Sequence, residues 1–142
     1  MTPQQTRPKG FLILAVILTL FALGTIAFWI DFFAGGTVQR SATAAYMEHE
    51  KSFPLADGYM AVCAFICAAG IIRRRSWGLL FGLITGSAII FLGLMDTLHA
   101  INQGTFSSFS AEAAQTFLIT ATCLLLGPIT IIYLWRKRDY LL

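Results

Sequence analysis

The fold is decided by an apolar stretch from Trp77 to Ile101 that reads WGLLFGLITGSAIIFLGLMDTLHAI. It has no charged residue before Asp96, and a helix that crosses a membrane needs about 20 mostly apolar residues. Residues 11–33, 55–72 and 111–135 form three further stretches of this kind. We therefore predict an all-α membrane protein whose residues 1–142 form a single domain, with four transmembrane helices at 11–33, 55–72, 77–101 and 111–135.

The composition agrees with a chain whose main solvent is lipid. Of the 142 residues, 57% are hydrophobic and only 12% are charged, whereas a soluble domain has about 25% charged residues. The net charge of +3 does not indicate a nucleic-acid partner, because the basic residues are placed at the ends of the apolar stretches. The expected partners are the lipid bilayer and either a second copy of the chain or another membrane protein.

The basic residues also predict the orientation. Eight of the ten Lys and Arg residues flank one set of helix ends, namely Arg7, Lys9, Arg73, Arg74, Arg75, Arg136, Lys137 and Arg138. Cytoplasmic segments of membrane proteins are rich in Lys and Arg. We therefore expect a multi-pass plasma (inner) membrane protein with both termini in the cytoplasm, which leaves Arg40 and Lys51 on the outer side.

The first outer loop is long enough to hold structure of its own. Its portion from Ser41 to Lys51 is rich in helix-forming residues, and Ala45, Tyr46, His49 and Phe53 recur at helical spacing. Such a pattern predicts a short amphipathic helix that lies on the outer surface.

Glycines mark the packing face of the third transmembrane helix. Gly78, Gly82 and Gly86 are each four residues apart, and Gly93 and Asp96 fall on the same face at about 100° per residue. Small residues at this spacing let membrane helices approach closely. We expect these glycines to pack against neighbouring helices and Asp96 to point into the bundle.

Each transmembrane helix carries one carboxylate at its outer end, and each carboxylate lies above small or hydroxylic residues. The four are Asp31, Asp57, Asp96 and Glu112. Small faces pack inwards in a bundle, so we expect the acids to converge on one cup. Asp57 and Glu112 have a second interpretation, because an acid near a helix start complements the helix dipole. Asp31 and Asp96 lie near helix ends that disfavour an anion, and an ionisable group at membrane depth indicates function.

Both histidines belong to the same side of the membrane. His99 follows Asp96 by three residues, so the two side chains are neighbours on the helix surface. With His49 from the outer loop, His99 and Asp96 offer ligands for a divalent cation. A plain interfacial polar pair is the alternative.

Pro128, inside the fourth transmembrane helix, removes a backbone hydrogen bond and is expected to kink it. The sequence does not distinguish a static kink from a hinge that opens the bundle.

No catalytic motif occurs in the sequence, which favours a non-enzymatic protein. The first hypothesis is a protein that binds a cation, a proton or a small polar ligand at the cup formed by Asp31, Asp57, Asp96, His99 and Glu112, as an accessory, sensing or transport-related component. A second is a small enzyme that acts on a lipid or isoprenoid by acid–base chemistry, for which we expect a lipid-sized crevice reaching Asp96. A third is a structural subunit of a membrane complex.

Overall fold

A computed structural model describes residues 8–39 and 43–142 of the chain. The described parts are helical and contain no strand. The α-helices are α1 (Lys9–Phe33), α2 (Ala44–Glu50), α3 (Pro54–Ile72), α4 (Ser76–Asn102) and α5 (Ala111–Arg136). Two short 3-10 helices follow α4 and α5, at Thr105–Ser107 and Arg138–Tyr140. Arg7, Arg40 and Ser41, which entered the sequence predictions, lie outside the described residues.

Four of the helices, α1, α3, α4 and α5, are long and apolar enough to cross a membrane. Their bounds differ from the predicted ones by at most two residues. Large apolar side chains cover their outward faces; on α1 these include Leu20, Ile30 and Phe33, each at least 60% exposed. Water does not favour so much exposed apolar surface. The chain therefore has the architecture of a multi-pass membrane protein.

The helices are arranged in space in the order in which they occur in the chain. Helix α1 packs along α3, α3 along α4, and α4 along α5. Successive long helices run in opposite directions, which gives the bundle two ends. We call them the basic end, with Lys9, Arg73–Arg75 and Arg136–Arg138, and the acidic end, with Asp31, Asp57, Asp96 and Glu112.

Glycines allow close contacts between helix backbones at two places. Between α3 and α4, a Cβ atom added to Gly78 would lie 2.7 Å from the carbonyl carbon of Gly70. Between α4 and α5, a Cβ atom on Gly86 would lie 2.9 Å from the carbonyl oxygen of Gly127. Gly82 and Gly93 are also buried, the first beside Leu134 and the second beside Cys123. Such close approach of backbones is a common way to hold helices together in lipid.

Helix α5 begins at a capped end and continues past its proline. The Ser110 hydroxyl oxygen accepts a hydrogen bond of 3.0 Å from the backbone N–H of Ala113, which satisfies one of the free donors of the first turn. Pro128 lies inside the helix, directly after the Gly127 contact. The backbone hydrogen bond that Pro128 removes therefore lies close to the contact between Gly127 of α5 and Gly86 of α4.

The basic end of the bundle is closed by aromatic packing. Phe11 of α1 is fully buried, stacks on Tyr140 with ring centroids 4.9 Å apart, and meets Tyr133 of α5 edge-on at 5.4 Å. The guanidinium of Arg74 lies 4.5 Å from the centroid of Tyr140. These contacts join α1 to α5 at the basic end, and a cavity lies between the two helices towards the acidic end.

Candidate functional site

A large cavity lies between α1 and α5. The buried face of α1 runs through Phe11, Leu14, Ala15, Leu18 and Ala22, and no further residue of the helix is buried until Phe32. Between Ala22 and Phe32, one face of α1 borders a cavity of about 1200 Å³ towards the acidic end, through Gly24, Thr25, Phe28 and Trp29. Helices α2, α3, α4 and α5 also line this cavity. We call it the acidic cavity. Its volume exceeds the roughly 300–1,000 Å³ of an ordinary ligand pocket.

Carboxylates from three transmembrane helices line the acidic cavity. Asp57 comes from the first turn of α3, Asp96 from α4 and Glu112 from the first turn of α5. Glu50, at the end of α2, is a fourth. No lysine or arginine is among the described residues that line it. The described part of the cavity wall therefore carries four acidic side chains.

Asp57 is the most buried of these acids, with only 8% of its surface exposed. Pro54 begins α3, so Asp57 lies in the first turn, where the helix dipole favours an anion. The indole N–H of Trp29 donates a hydrogen bond of 2.8 Å to Oδ2 of Asp57. This bond joins α1 to α3 at the cavity wall, and it gives a buried carboxylate a partner that an apolar bundle would otherwise lack.

The two histidines meet at the mouth of the acidic cavity. The rings of His49, in α2, and His99, in α4, are stacked with centroids 4.1 Å apart and planes 13° apart. His49 also meets Phe53 edge-on at 5.1 Å. The sequence places His49 and His99 fifty residues apart, and the fold brings them into direct contact, so that α2 rests on the end of α4.

A metal centre needs three or more ligands grouped around one point. Among the residues that the structure describes, no three His, Cys, Asp or Glu side chains are grouped so as to hold a metal ion. His49, His99 and Asp96 all line the acidic cavity, but a metal ion bound by the three would require them to rearrange. A divalent-cation cofactor thus remains a prediction of the sequence that this geometry does not favour.

Asp31 is turned away from the cavity and towards its own loop. Its Oδ2 accepts a hydrogen bond of 2.9 Å from the backbone N–H of Val38 and a weak one of 3.5 Å from the Thr37 hydroxyl. Gly36 lies against the carboxylate. Asp31 is absent from the cavity wall. It differs from the other three helix-end acids because it serves to fold the chain back after α1.

A second, smaller hollow lies between α1 and α3 on the far side of Trp29. Its volume is about 450 Å³, and it opens onto the apolar surface of the bundle. We call it the side groove; its lining residues are Thr25, Ile26, Trp29, Ile30, Phe33, Pro54, Asp57 and Gly58. Thr25, Trp29 and Asp57 line the acidic cavity as well. The hydrogen-bonded pair of Trp29 and Asp57 therefore stands between the two spaces.

Sequence reasoning did not identify Trp29 as a site residue, and it placed Glu50 near the cup only together with Glu48 and His49. The sequence pattern assigns Trp29 to the aromatic belt at the membrane interface, and only the register of α1 against α3 places its indole on Asp57. No spacing in the sequence encodes that register. Glu50 had a weak signal, because it follows His49 directly and a helix through this loop places both near the mouth.

No protein-family model, no curated protein and no solved structure matches the chain.

Proposed function

We propose that this chain is a protein of the plasma (inner) membrane that binds a cation, a proton or a small polar ligand in the acidic cavity. The observation that carries the proposal is the set of carboxylates, from Asp57, Asp96 and Glu112, that three different helices bring to one cavity together with both histidines. Carboxylates that share a site favour a bound cation or a shared proton, because like charges repel.

The proposed orientation places the acidic end outside and both termini in the cytoplasm. It is supported by the Lys and Arg residues at the basic end, which is the usual cytoplasmic distribution. In this orientation α2 is an amphipathic helix on the outer surface, and the acidic cavity opens to the outside.

A binding, sensing or accessory role fits the bundle better than a conducting pore. Phe11 and Leu134 are fully buried near the basic end, and the rings around Tyr140 close that end between α1 and α5. No ionisable side chain on the four helices lies between the acidic cavity and the arginines, apart from the cysteines and tyrosines. The apolar half of the bundle next to the basic end therefore gives an ion no charged side chain to replace its lost water.

The direct test is the Asp96→Asn variant in a neutral detergent. We expect affinity for cationic probes to fall by about tenfold or more, since a hydrogen bond to a charged group contributes about 1.5–3 kcal/mol. Inorganic cations and tetramethylammonium are titrated by calorimetry. The matched control is Asp139→Asn, the same change at an acid that is 87% exposed at the basic end. Equal binding by Asp96→Asn and the wild type for every cation would overturn the proposal.

A small lipid or isoprenoid enzyme is the second candidate. The observation that favours it is that the acidic cavity is large enough for a lipid and reaches Asp96, Asp57 and His99. Aspartate and histidine side chains are suited to general acid–base chemistry. Incubation with a total lipid extract, followed by mass spectrometry, tests it. A product that forms with the wild type and not with Asp96→Asn supports an enzyme, and an unchanged extract opposes it.

A further inference from the structure

The chemistry of the acidic cavity selects among cations. Besides its carboxylates, the wall carries the aromatic rings of Phe28, Trp29, Tyr46 and Phe53. Aromatic faces bind organic ammonium groups within about 6 Å, and cages of this kind recognise quaternary ammonium ligands. Small divalent metal ions instead take six or more oxygen ligands in a compact shell, and the cavity of about 1200 Å³ is far larger than such a shell. The lining therefore fits an organic cation.

The depth of the cavity shows that this cation has room for apolar atoms. Phe21 and Leu92 line the cavity together with Cys123, and Phe21 lies about 12 Å along α1 from Trp29 at 1.5 Å per residue. The charged groups are concentrated at the acidic end. A cation bound in the cavity thus has apolar neighbours for the methyl groups around its charge, as in the trimethylammonium head of an amphiphile.

The side groove offers a path for such an amphiphile from the bilayer. Ile26, Ile30 and Phe33 line it, and each is exposed on the lipid-facing surface of α1. A cavity next to such a groove is reached by a molecule whose tail is already dissolved in the membrane. The Trp29 and Asp57 pair, together with Thr25, stands between the groove and the acidic cavity, since all three residues line both spaces.

The hydrogen bond between Trp29 and Asp57 can be exchanged without leaving a buried charge unpaired. If the indole swings away, Asp57 loses one N–H donor, and a positively charged head that arrives beside it restores the compensation. An unpaired buried carboxylate would cost several kcal/mol, so the exchange is favourable only for a ligand that carries positive charge or a strong donor. The pair thus discriminates against neutral lipids.

Two glycines keep the spaces open. A Cβ atom added to Gly24, in the acidic cavity, or to Gly58, in the side groove, would meet no atom within 4 Å. The helix glycines at the tight contacts, by comparison, have no such room. Gly24 and Gly58 are therefore not explained by helix packing, and larger side chains at these positions fill the spaces without displacing neighbouring helices.

From these observations we propose that the ligand is a single-tailed amphiphile with a cationic ammonium head, held with its head in the acidic cavity and its tail in the side groove beside Trp29. This inference rests on the proposed binding function and names the ligand class of the same site.

The test uses a variant in which Trp29 is the only tryptophan, with Trp77→Phe and Trp135→Phe, in neutral maltoside micelles. The probe is an alkyltrimethylammonium ion with a brominated chain, which quenches tryptophan emission at short range. We expect saturable quenching of Trp29. The concentration for half-maximal quenching should be at least about tenfold lower than for a neutral amphiphile with the same brominated chain, because of the cation–π and charge contributions. Tetramethylammonium, the head alone, serves as competitor.

Gly58→Leu fills the side groove, and Gly58→Ala is its matched control. We expect Gly58→Leu to weaken quenching by the brominated chain by about tenfold or more, because its side chain takes the volume of several methylenes from the tail. Gly58→Ala should bind like the parent, and both variants should bind tetramethylammonium equally.

The outcomes separate the two proposals. If tetramethylammonium binds and the brominated chain fails to quench Trp29, or Gly58→Leu has no effect, the tail placement is wrong and the binding function stands. Equal quenching by the neutral amphiphile would overturn the proposal that the ligand has a cationic head. If no cation binds at all, both proposals fall.

Discussion

The imidazole ring of His49 is stacked on that of His99, with 4.1 Å between the ring centroids. This contact links the short helix α2 to the end of α4 across the mouth of the acidic cavity. A helix of seven residues is too short to be stable alone, so α2 depends on such contacts, with Tyr46 against Phe32 at 6.5 Å as another.

Removal of the His49 ring should therefore loosen α2. We expect His49→Ala to speed amide hydrogen exchange in residues 44–50 by about twofold to tenfold, since a stacked ring pair contributes about 0.5–1.5 kcal/mol. Exchange in α4 and α5 should not change. His49→Phe keeps a planar ring and is the control. Unchanged exchange in His49→Ala would show that the ring pair does not hold α2.

Asp31 and Asp96 should separate into a structural and a binding role. Asp31→Ala removes the acceptor for the Val38 N–H, so we expect faster hydrogen exchange in residues 34–39 and a loss of stability of about 1–3 kcal/mol. Cation affinity should stay at the wild-type value. Asp31→Asn keeps an acceptor oxygen and should largely restore the loop. A loss of cation binding in Asp31→Ala would contradict the separation.

The glycines should divide into two classes by the same substitution. Gly86→Ala puts a methyl group 2.6 Å from Cγ1 of Ile131, and we expect a loss of about 1–3 kcal/mol from overpacking between α4 and α5. Gly24→Ala meets nothing within 4 Å and should be neutral or stabilise α1 by up to about 1 kcal/mol. Unfolding in denaturing detergent, followed by circular dichroism, measures both. Equal stabilities would show that the close approach of α4 and α5 is not real.

Two substitutions of Tyr140, at the basic end, separate the role of its hydroxyl from that of its ring. Its hydroxyl oxygen is buried and has no hydrogen-bond partner among the described residues. Tyr140→Phe should therefore be neutral or slightly stabilising, because an unsatisfied buried polar group costs about 1–3 kcal/mol. Tyr140→Ala removes the ring that stacks on Phe11 and lies under Arg74, and should lower stability by about 3–5 kcal/mol. Thermal unfolding of the two variants measures the difference, and a destabilised Tyr140→Phe would contradict the unsatisfied hydroxyl.

The long helices could be predicted from sequence because lipid imposes length and composition on each span separately. The glycine face of α4 was also readable, since Gly78, Gly82 and Gly86 recur at helical spacing. The contacts between helices could not be predicted from the sequence. Whether Asp31 points to its loop or to the bundle depends on the turn after α1, and the bond from Trp29 to Asp57 depends on the register of α1 against α3. Both depend on how the folded chain places these side chains, which local sequence patterns do not reveal.

The spatial order of the helices, α1 against α3, then α4, then α5, has a consequence for biogenesis. Contacts between chain neighbours close short loops and form quickly, so each long helix after α1 finds one packing partner already in the membrane. The acidic cavity is the exception, because α5, the last to emerge, supplies the wall that carries Glu112 and Cys123. A nascent chain that stops before residue 111 holds three spans and no complete site. A ligand of the acidic cavity would therefore stabilise the four-span bundle and not a chain that holds only the first three spans.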